Sequence, residues 1–428
     1  MDLSGIPYAP LHVDRDARLV TPSEVDAALS MVDQSGATDL LVLAHGWNND
    51  EAEAGRLYAA LAARFVEVRG RVAGLDQRRL ALLGVLWPSK KFAEAELIPG
   101  GAAALSDGPS DAELRRGLAE LATLVGRPAP ADAEAAVSRL DSNSAARRAF
   151  ADAVRDLVAP EAPDDTDEET PPKLFSVDGE ELYERFARPT LLRPPTRSGG
   201  GAASVRTGGA AGLSLRLPAG LRNAARNLLN FGTYYAMKDR AGTIGIDAVA
   251  PVLQRLHAAR PDLRLHLAGH SFGGRVMTAA ATRSSAPTAS LTLLQAAFSH
   301  YGFADDWEPG RDGLFRACLT GGRVTGPVLV THTGNDKAVG VAYALASRAA
   351  GQVAAGVGDA GDKYGGIGRN GAQHTPEAVA GTLLDVGGTY ALTRGRVLNL
   401  LADRFVAGHS DVTGPQVAYA LLTATAQA

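Results

Sequence analysis

The chain has 428 residues, a net charge of −4 and 21% charged residues, so no basic surplus marks it for nucleic acid or an anionic membrane surface. Apolar residues make up 46%, enough to build a core for one large domain with an insertion, or for two domains. A single cysteine, Cys318, excludes an intramolecular disulfide and a cysteine-rich metal site, and reads as a small buried hydrophobe.

The first twenty residues show no basic start followed by an apolar run, so no secretory signal is expected. No apolar stretch approaches the roughly 20 residues of a membrane helix. The expectation is a cytoplasmic protein without stable membrane insertion.

Helix and strand signals alternate up to about residue 90. In "TPSEVDAALSMVDQSG", Thr21, Pro22 and Glu24 predict a capped helix start and Gly36 its stop. "TDLLVLAHGW" reads as a buried parallel strand ending in a turn. "EAGRLYAALAARFVEVRG" has helical spacing, and "RRLALLGVLWPS" is a second buried strand stopped by Pro88.

From 91 to 220 the strand signals nearly vanish. A capping box, Ser110 with Glu113, opens one helix, and "ADAEAAVSRL" and "SNSAARRAFADAVRDLV" continue the pattern. The segments at 159–173, acidic and proline-rich, and at 193–212, rich in glycine, read as polar and flexible. This span reads as a helical insertion with flexible parts.

After 221 the rhythm returns. "GIDAVAPVLQRLHAARP" reads as a helix, and "LRLHLAGHS", "LTLLQAAFS", "PVLVTHTGND" and "GRVLNLLAD" read as successive strands. Strands alternating with helices predict an α/β architecture, a mostly parallel, doubly wound sheet covered on both faces.

Gly-His-Ser occurs twice, at 269–271 and 408–410. The first lies in G-x-S-x-G between an apolar strand and "GRVMTAAATR", which can form a helix. A serine on such a strand–turn–helix corner projects its hydroxyl beyond the sheet's carboxyl edge, which suits a nucleophile. The amide of Phe272 then opens the helix, where an N–H and the positive dipole end can meet an oxyanion. Ser410 is followed by Asp411 and Val412, with no second glycine, so it cannot form the same corner. There the histidine matters.

A serine nucleophile needs a base, and the base an orienting acid. Asp336, in a polar turn after a late strand, and His409, after the final strand, stand in the expected chain order. His374 is the rival base, and Asp305 or Asp306 the rival acid; Asp403 lies too near its strand end. His270 is expected to point elsewhere, and His12, His257, His266, His300 and His332 to be structural. After "LAHG", the amide of Trp47 is the expected second oxyanion donor, with Asn48 and Asn49 bracing the loop.

With "LVLAHGWNN", "LGVLWPS", "LHLAGHSFGG", "THTGND" and "AGHSDV" in this order, the chain resembles the α/β-hydrolase superfamily, in its serine-esterase and lipase-like branch. The resemblance covers 1–90 and 221–428. It implies an α/β-hydrolase fold, a Ser271–His409–Asp336 triad and hydrolysis of a carboxylic ester through an acyl-enzyme, on a small or lipid-like acyl substrate. The same triad would serve a thioesterase, an amidase or peptidase, or an acyltransferase; a binding protein on a hydrolase fold is the non-catalytic alternative. The insertion at 91–220 is placed to cap the pocket or to recognise a protein partner, and Tyr234, Tyr235, Met237 and Lys238 either face the site or pack. Asp359 and Asp362 lie in a glycine-rich loop whose spacing matches no EF-hand. No cofactor or metal is expected.

Overall fold

The computed structural model describes residues 1–47, 49–89, 108–159, 177–187, 190–191, 216–217, 220–350 and 363–428. In Asp39–Ala44 every residue is buried, and the two faces of this strand divide between two cores. Leu40, Val42 and Ala44 join one, Leu41 and Leu43 the other, because successive side chains point to opposite faces. This is the signature of a parallel strand covered on both sides.

The strands of the large sheet are β1 (Asp2–Leu3), β2 (Ile6–His12), β3 (Asp39–Ala44), β4 (Leu80–Leu86), β5 (Arg264–His270), β6 (Thr288–Leu294), β7 (Val328–His332), β8 (Ala378–Thr382) and β9 (Val397–Leu401). Together these nine form one sheet in the order β1-β2-β4-β3-β5-β6-β7-β9-β8. Every neighbouring pair is parallel except β1 with β2. The carboxyl ends of β3, β5, β6, β7 and β9 therefore share one edge, where loops of distant sequence meet.

Helices cover both faces. α1 (Glu24–Ser35), α8 (Ala250–Ala259) and α9 (Phe272–Arg283) bury Val32, Leu256 and Val276 in the first core. α2 (Glu51–Val68) and the last helix, α11 (Pro415–Ala426), bury Phe65 and Leu421 in the second. The expected insertion contributes α3 (Asp111–Val125), α4 (Ala131–Ala136), α5 (Ser144–Val158) and α6 (Gly179–Ala187) among the described residues. Their apolar faces extend the first core onto α7 (Leu221–Thr243) through Leu118, Val154 and Phe186. α10 (Lys337–Ala349) follows β7.

Several local expectations change. α1 begins at Glu24 with Ser23 at its N-cap and no side-chain cap bond. The Glu24 carboxylate instead accepts from the His12 main-chain N–H (2.7 Å) and pairs with its ring Nδ1 (2.6 Å), so the helix start is tied to β2 rather than capped by Thr21. Gly36 does stop the helix in the left-handed region, φ 62°, and Ser110 and Glu113 do form the capping box of α3. β2 and β8 are strands the sequence reading lacks. Prolines at 7 and 10 disguise β2, and β8, at the sheet edge, keeps only partly buried or exposed residues. No described helix is long and apolar enough to cross a membrane.

Candidate active site

β5 ends at His270 and α9 starts at Phe272, leaving Ser271 alone at the corner with φ 56° and ψ −127°. For a residue with a Cβ this backbone costs on the order of 1–3 kcal/mol. The flanking glycines make the corner possible. A Cβ on Gly269 would lie 2.2 Å from the Gly273 carbonyl oxygen, and one on Gly273 2.2 Å from that of Ala44. The corner is fastened to the end of β6: the Ser271 N–H donates to Leu294 O (3.1 Å), and the Ala297 N–H to Ser271 O (3.0 Å).

The fold brings Ser271, His409 and Asp336 together. His409 Nε2 is 2.8 Å from Ser271 Oγ, and His409 Nδ1 is 2.8 Å from Asp336 Oδ2. The carboxylate can only accept, so Nδ1 carries the proton and Nε2 keeps its lone pair for the serine hydroxyl. Asp336 is fully buried, and its other oxygen accepts the Val339 N–H (2.9 Å) in the first turn of α10. Two loops hold this pair in register. The Asp403 carboxylate accepts from Thr333 Oγ1 (2.7 Å) and the Gly334 N–H (2.9 Å). Asn335 Nδ2 donates to Asp403 O (3.2 Å) and Val406 O (2.9 Å). Asp403 thus braces the acid loop.

Gly46 lies against the serine: a Cβ there would sit 2.7 Å from Ser271 Cβ. Its carbonyl accepts from His45 Nδ1 (2.9 Å), Ser89 Oγ (2.9 Å) and Asn49 Nδ2 (3.2 Å). Among the described residues no peptide bond is cis. In a trans peptide the N–H opposes the carbonyl, so the Trp47 N–H points away from this cluster. Burial pushes the His45 pKa down to about 4; the neutral ring donates from Nδ1 and accepts the Trp87 N–H at Nε2 (3.2 Å). The Phe272 N–H, in the first turn of α9, has no carbonyl acceptor within the helix.

His270 does not point elsewhere. Its ring packs on His409, centroids 4.9 Å apart, and its Nε2–H donates to the His409 carbonyl (2.9 Å). This contact spans 139 residues, and no local signal marks it.

A cavity of about 500 Å³ opens over Ser271, His270 and His409. Trp47, Phe272, Tyr234 and the α10 residues Val339, Ala342 and Leu345 supply apolar walls; Asn49, Asn230, Ser410 and Asp411 supply polar ones. Tyr235, Met237 and Lys238 are buried in packing instead. No described insertion residue lines this cavity.

The rivals lie apart. His374 is exposed, its ring against Tyr301 at 5.0 Å. Asp305 faces the Arg316 guanidinium at 3.9 Å, and the Asp306 carboxylate accepts the Gly310 N–H. A second Ser–His–Asp array does exist: His266 Nδ1 meets Ser290 Oγ at 2.8 Å and His266 Nε2 meets Asp39 Oδ1 at 3.0 Å. All three residues are at most 2% exposed, at the opposite ends of the strands, so substrate cannot reach them. Cys318 is buried, and burial pushes its thiol up to about 12.

Asn48, Asp359, Asp362, most of 159–173 and all of 193–212 lie outside the described residues. Among the described residues no cluster of three His, Cys, Asp or Glu side chains is built to hold a metal. Compared with protein-family models, with curated proteins and with solved structures, the chain matches none.

Proposed function

We propose that this chain is a serine hydrolase of the α/β-hydrolase fold that cleaves a carboxylic ester through an acyl-enzyme, with 1–90 and 221–428 as its core and 91–220 as an insertion. The observation that carries this reading is the hydrogen-bonded Ser271–His409–Asp336 array on a strained corner beneath a cavity. Binding alone requires neither the strain nor the ordered proton path.

Ser271 Oγ attacks the ester carbonyl carbon as Nε2 of His409 takes its proton. The carbonyl π pair moves to oxygen, and the Phe272 and Trp47 N–H groups receive the oxyanion. Asp336 stabilises the imidazolium and fixes its orientation. The tetrahedral adduct collapses, the C–O bond to the alcohol breaks, and Nε2 delivers the proton to the departing oxygen. Water then repeats the sequence: Nε2 removes its proton, the hydroxide portion adds to the acyl carbon, and Ser271 leaves with the proton returned. Acid and alcohol are the products.

A fluorophosphonate probe with peptide mass spectrometry tests this. Label on Ser271 that disappears in His409→Ala, together with turnover of 4-nitrophenyl acetate lost in Ser271→Ala, is the expected result. Unchanged ester turnover in a folded Ser271→Ala variant would overturn the assignment.

A further inference from the structure

The residues that line the cavity over Ser271 are of two kinds. One lies on the loop that carries His409, with the polar residues Ser410 and Asp411. The other lies on α10, which presents Ala338, Val341, Ala342 and Leu345 to the cavity. Their spacing of three, four and seven residues from Ala338 defines a single helical face. Tyr234 and Phe272 continue that wall, with ring centroids 5.2 Å apart. No lysine or arginine lines the cavity among the described residues. An anion placed there would lose its hydration with no cation to replace it.

The chemistry gives each kind a task. His409 Nε2 must meet both the departing oxygen and the incoming water, so these belong beside His409. The acyl chain stays bonded to Ser271 through both steps and is served by apolar lining. We propose that α10, with Tyr234 and Phe272, forms an acyl pocket for a neutral aliphatic chain of medium length; this rests on the ester-hydrolase reading. At roughly 30 Å³ for each water-sized group, a cavity of about 500 Å³ holds the ester group, the water and an acyl chain of about ten carbons. The end of α10 is anchored: Arg185 of α6 donates to the Ala349 carbonyl (2.5 Å) at its last turn. A described helix of the insertion is thereby tied to the end of α10.

The test is the full-length protein on 4-nitrophenyl esters from acetyl to hexadecanoyl. The pocket predicts that kcat/KM rises about three- to fourfold per methylene while the chain finds apolar surface, then falls beyond about ten to twelve carbons as the cavity fills. An ester of equal length ending in a carboxylate is expected to be at least about 100-fold poorer, because the buried anion finds no cation. Ala342→Phe narrows the pocket and is expected to lower the decanoyl-to-acetyl ratio at least about tenfold through overpacking. Acetyl turnover with a flat chain-length profile, or equal use of the carboxylate ester, overturns the pocket and leaves the hydrolase reading standing. No turnover of any ester and no fluorophosphonate label on Ser271 overturns the hydrolase reading, and the pocket with it.

Discussion

His270 donates its Nε2–H to the carbonyl oxygen of His409 at 2.9 Å, so the side chain preceding Ser271 holds the main chain of the histidine that faces it. Burial, then the neighbouring His409, pushes the His270 pKa down to about 3. The ring is therefore neutral, and its one proton sits on Nε2. Nδ1 has no hydrogen-bond partner among the described residues. On the proposed hydrolase reading, His270 acts as a positioning residue. His270→Phe keeps an aromatic ring, somewhat larger, and loses the donor; kcat is expected to fall about 10- to 100-fold, the scale of a small misplacement of a reacting group, with KM little changed. His270→Gln, which restores an N–H, is expected to recover part of the loss. Rates per fluorophosphonate-titrated site check this, and a kcat unaffected in His270→Phe would contradict it.

Gly46 approaches the same corner from β3. With Ser271 Cβ 2.7 Å and His270 Nδ1 2.9 Å from where its own Cβ would be, Gly46→Ala must displace the serine or the Trp47 peptide. Losing one oxyanion donor costs about 10²–10³ in kcat, and a loss of that size is expected, with thermal unfolding near wild type because the clash lies at a loop. Full ester turnover in Gly46→Ala would remove the Trp47 amide from the oxyanion site.

Asp336 orients His409 from a fully buried position. Asp336→Asn keeps the acceptor for the Val339 N–H, but its amide can donate to Nδ1, which favours the tautomer with the proton on Nε2. Turnover is expected to fall about 10⁴-fold, as when a triad acid becomes its amide, and to recover partly at alkaline pH. A pH–rate profile measures both.

The parts of this arrangement readable in the sequence are those written locally. Gly269 and Gly273 around Ser271 mark a corner only small residues allow, and the apolar runs before Trp47, Ser271, Asp336 and His409 place each in the turn or loop that follows a strand. The Ser110–Glu113 box closes within four residues. The contacts left unread join residues far apart in the chain: His270 with His409, Ser89 with Gly46, Asp403 with Thr333, Glu24 with His12. For the same reason the sequence left His374, Asp305 and Asp306 as rivals, since separation along a late loop says nothing of distance from Ser271.

The buried array at the opposite sheet edge carries a stability prediction. Asp39, fully buried, accepts from Arg78 (2.9 Å), His266 (3.0 Å) and Thr38 (2.6 Å). Arg78 also donates to Thr425 O (2.7 Å), Ala426 O (2.8 Å) and Ala428 O (3.0 Å), so one guanidinium joins the central strands to the end of α11. Without Arg78 the buried carboxylate keeps His266, Thr38 and the Arg264 guanidinium at 3.7 Å, so Arg78→Ala is expected to cost about 1.5–3 kcal/mol, the scale of a hydrogen bond to a charged group. Urea unfolding measures this; a change below about 1 kcal/mol would contradict the strut.

Acid unfolding follows from the same histidines. His45 and His270 are held neutral, with pKa values near 4 and 3, by burial first. Burial also lowers His266 and His332. The unfolded chain titrates them near 6.5. Below that pH the unfolded state binds protons the folded state does not, so their stabilisation is complete above pH 6.5 and is lost as pH falls toward 3. His12 works the other way: burial opposes the charge, but the hydrogen bonds with Glu24 and Glu51 prevail and raise its pKa. Its share is complete below 6.5 and lost as pH rises. The four lowered groups outnumber it, so unfolding free energy is expected to fall between pH 6.5 and 4.5, each histidine adding up to about 1.4 kcal/mol per pH unit. His270→Phe removes one of the four. Urea midpoints across that window are therefore expected to show a shallower acid slope in the variant than in the parent, and parallel slopes would mean that His270 takes up its proton in the folded protein as readily as in the unfolded chain.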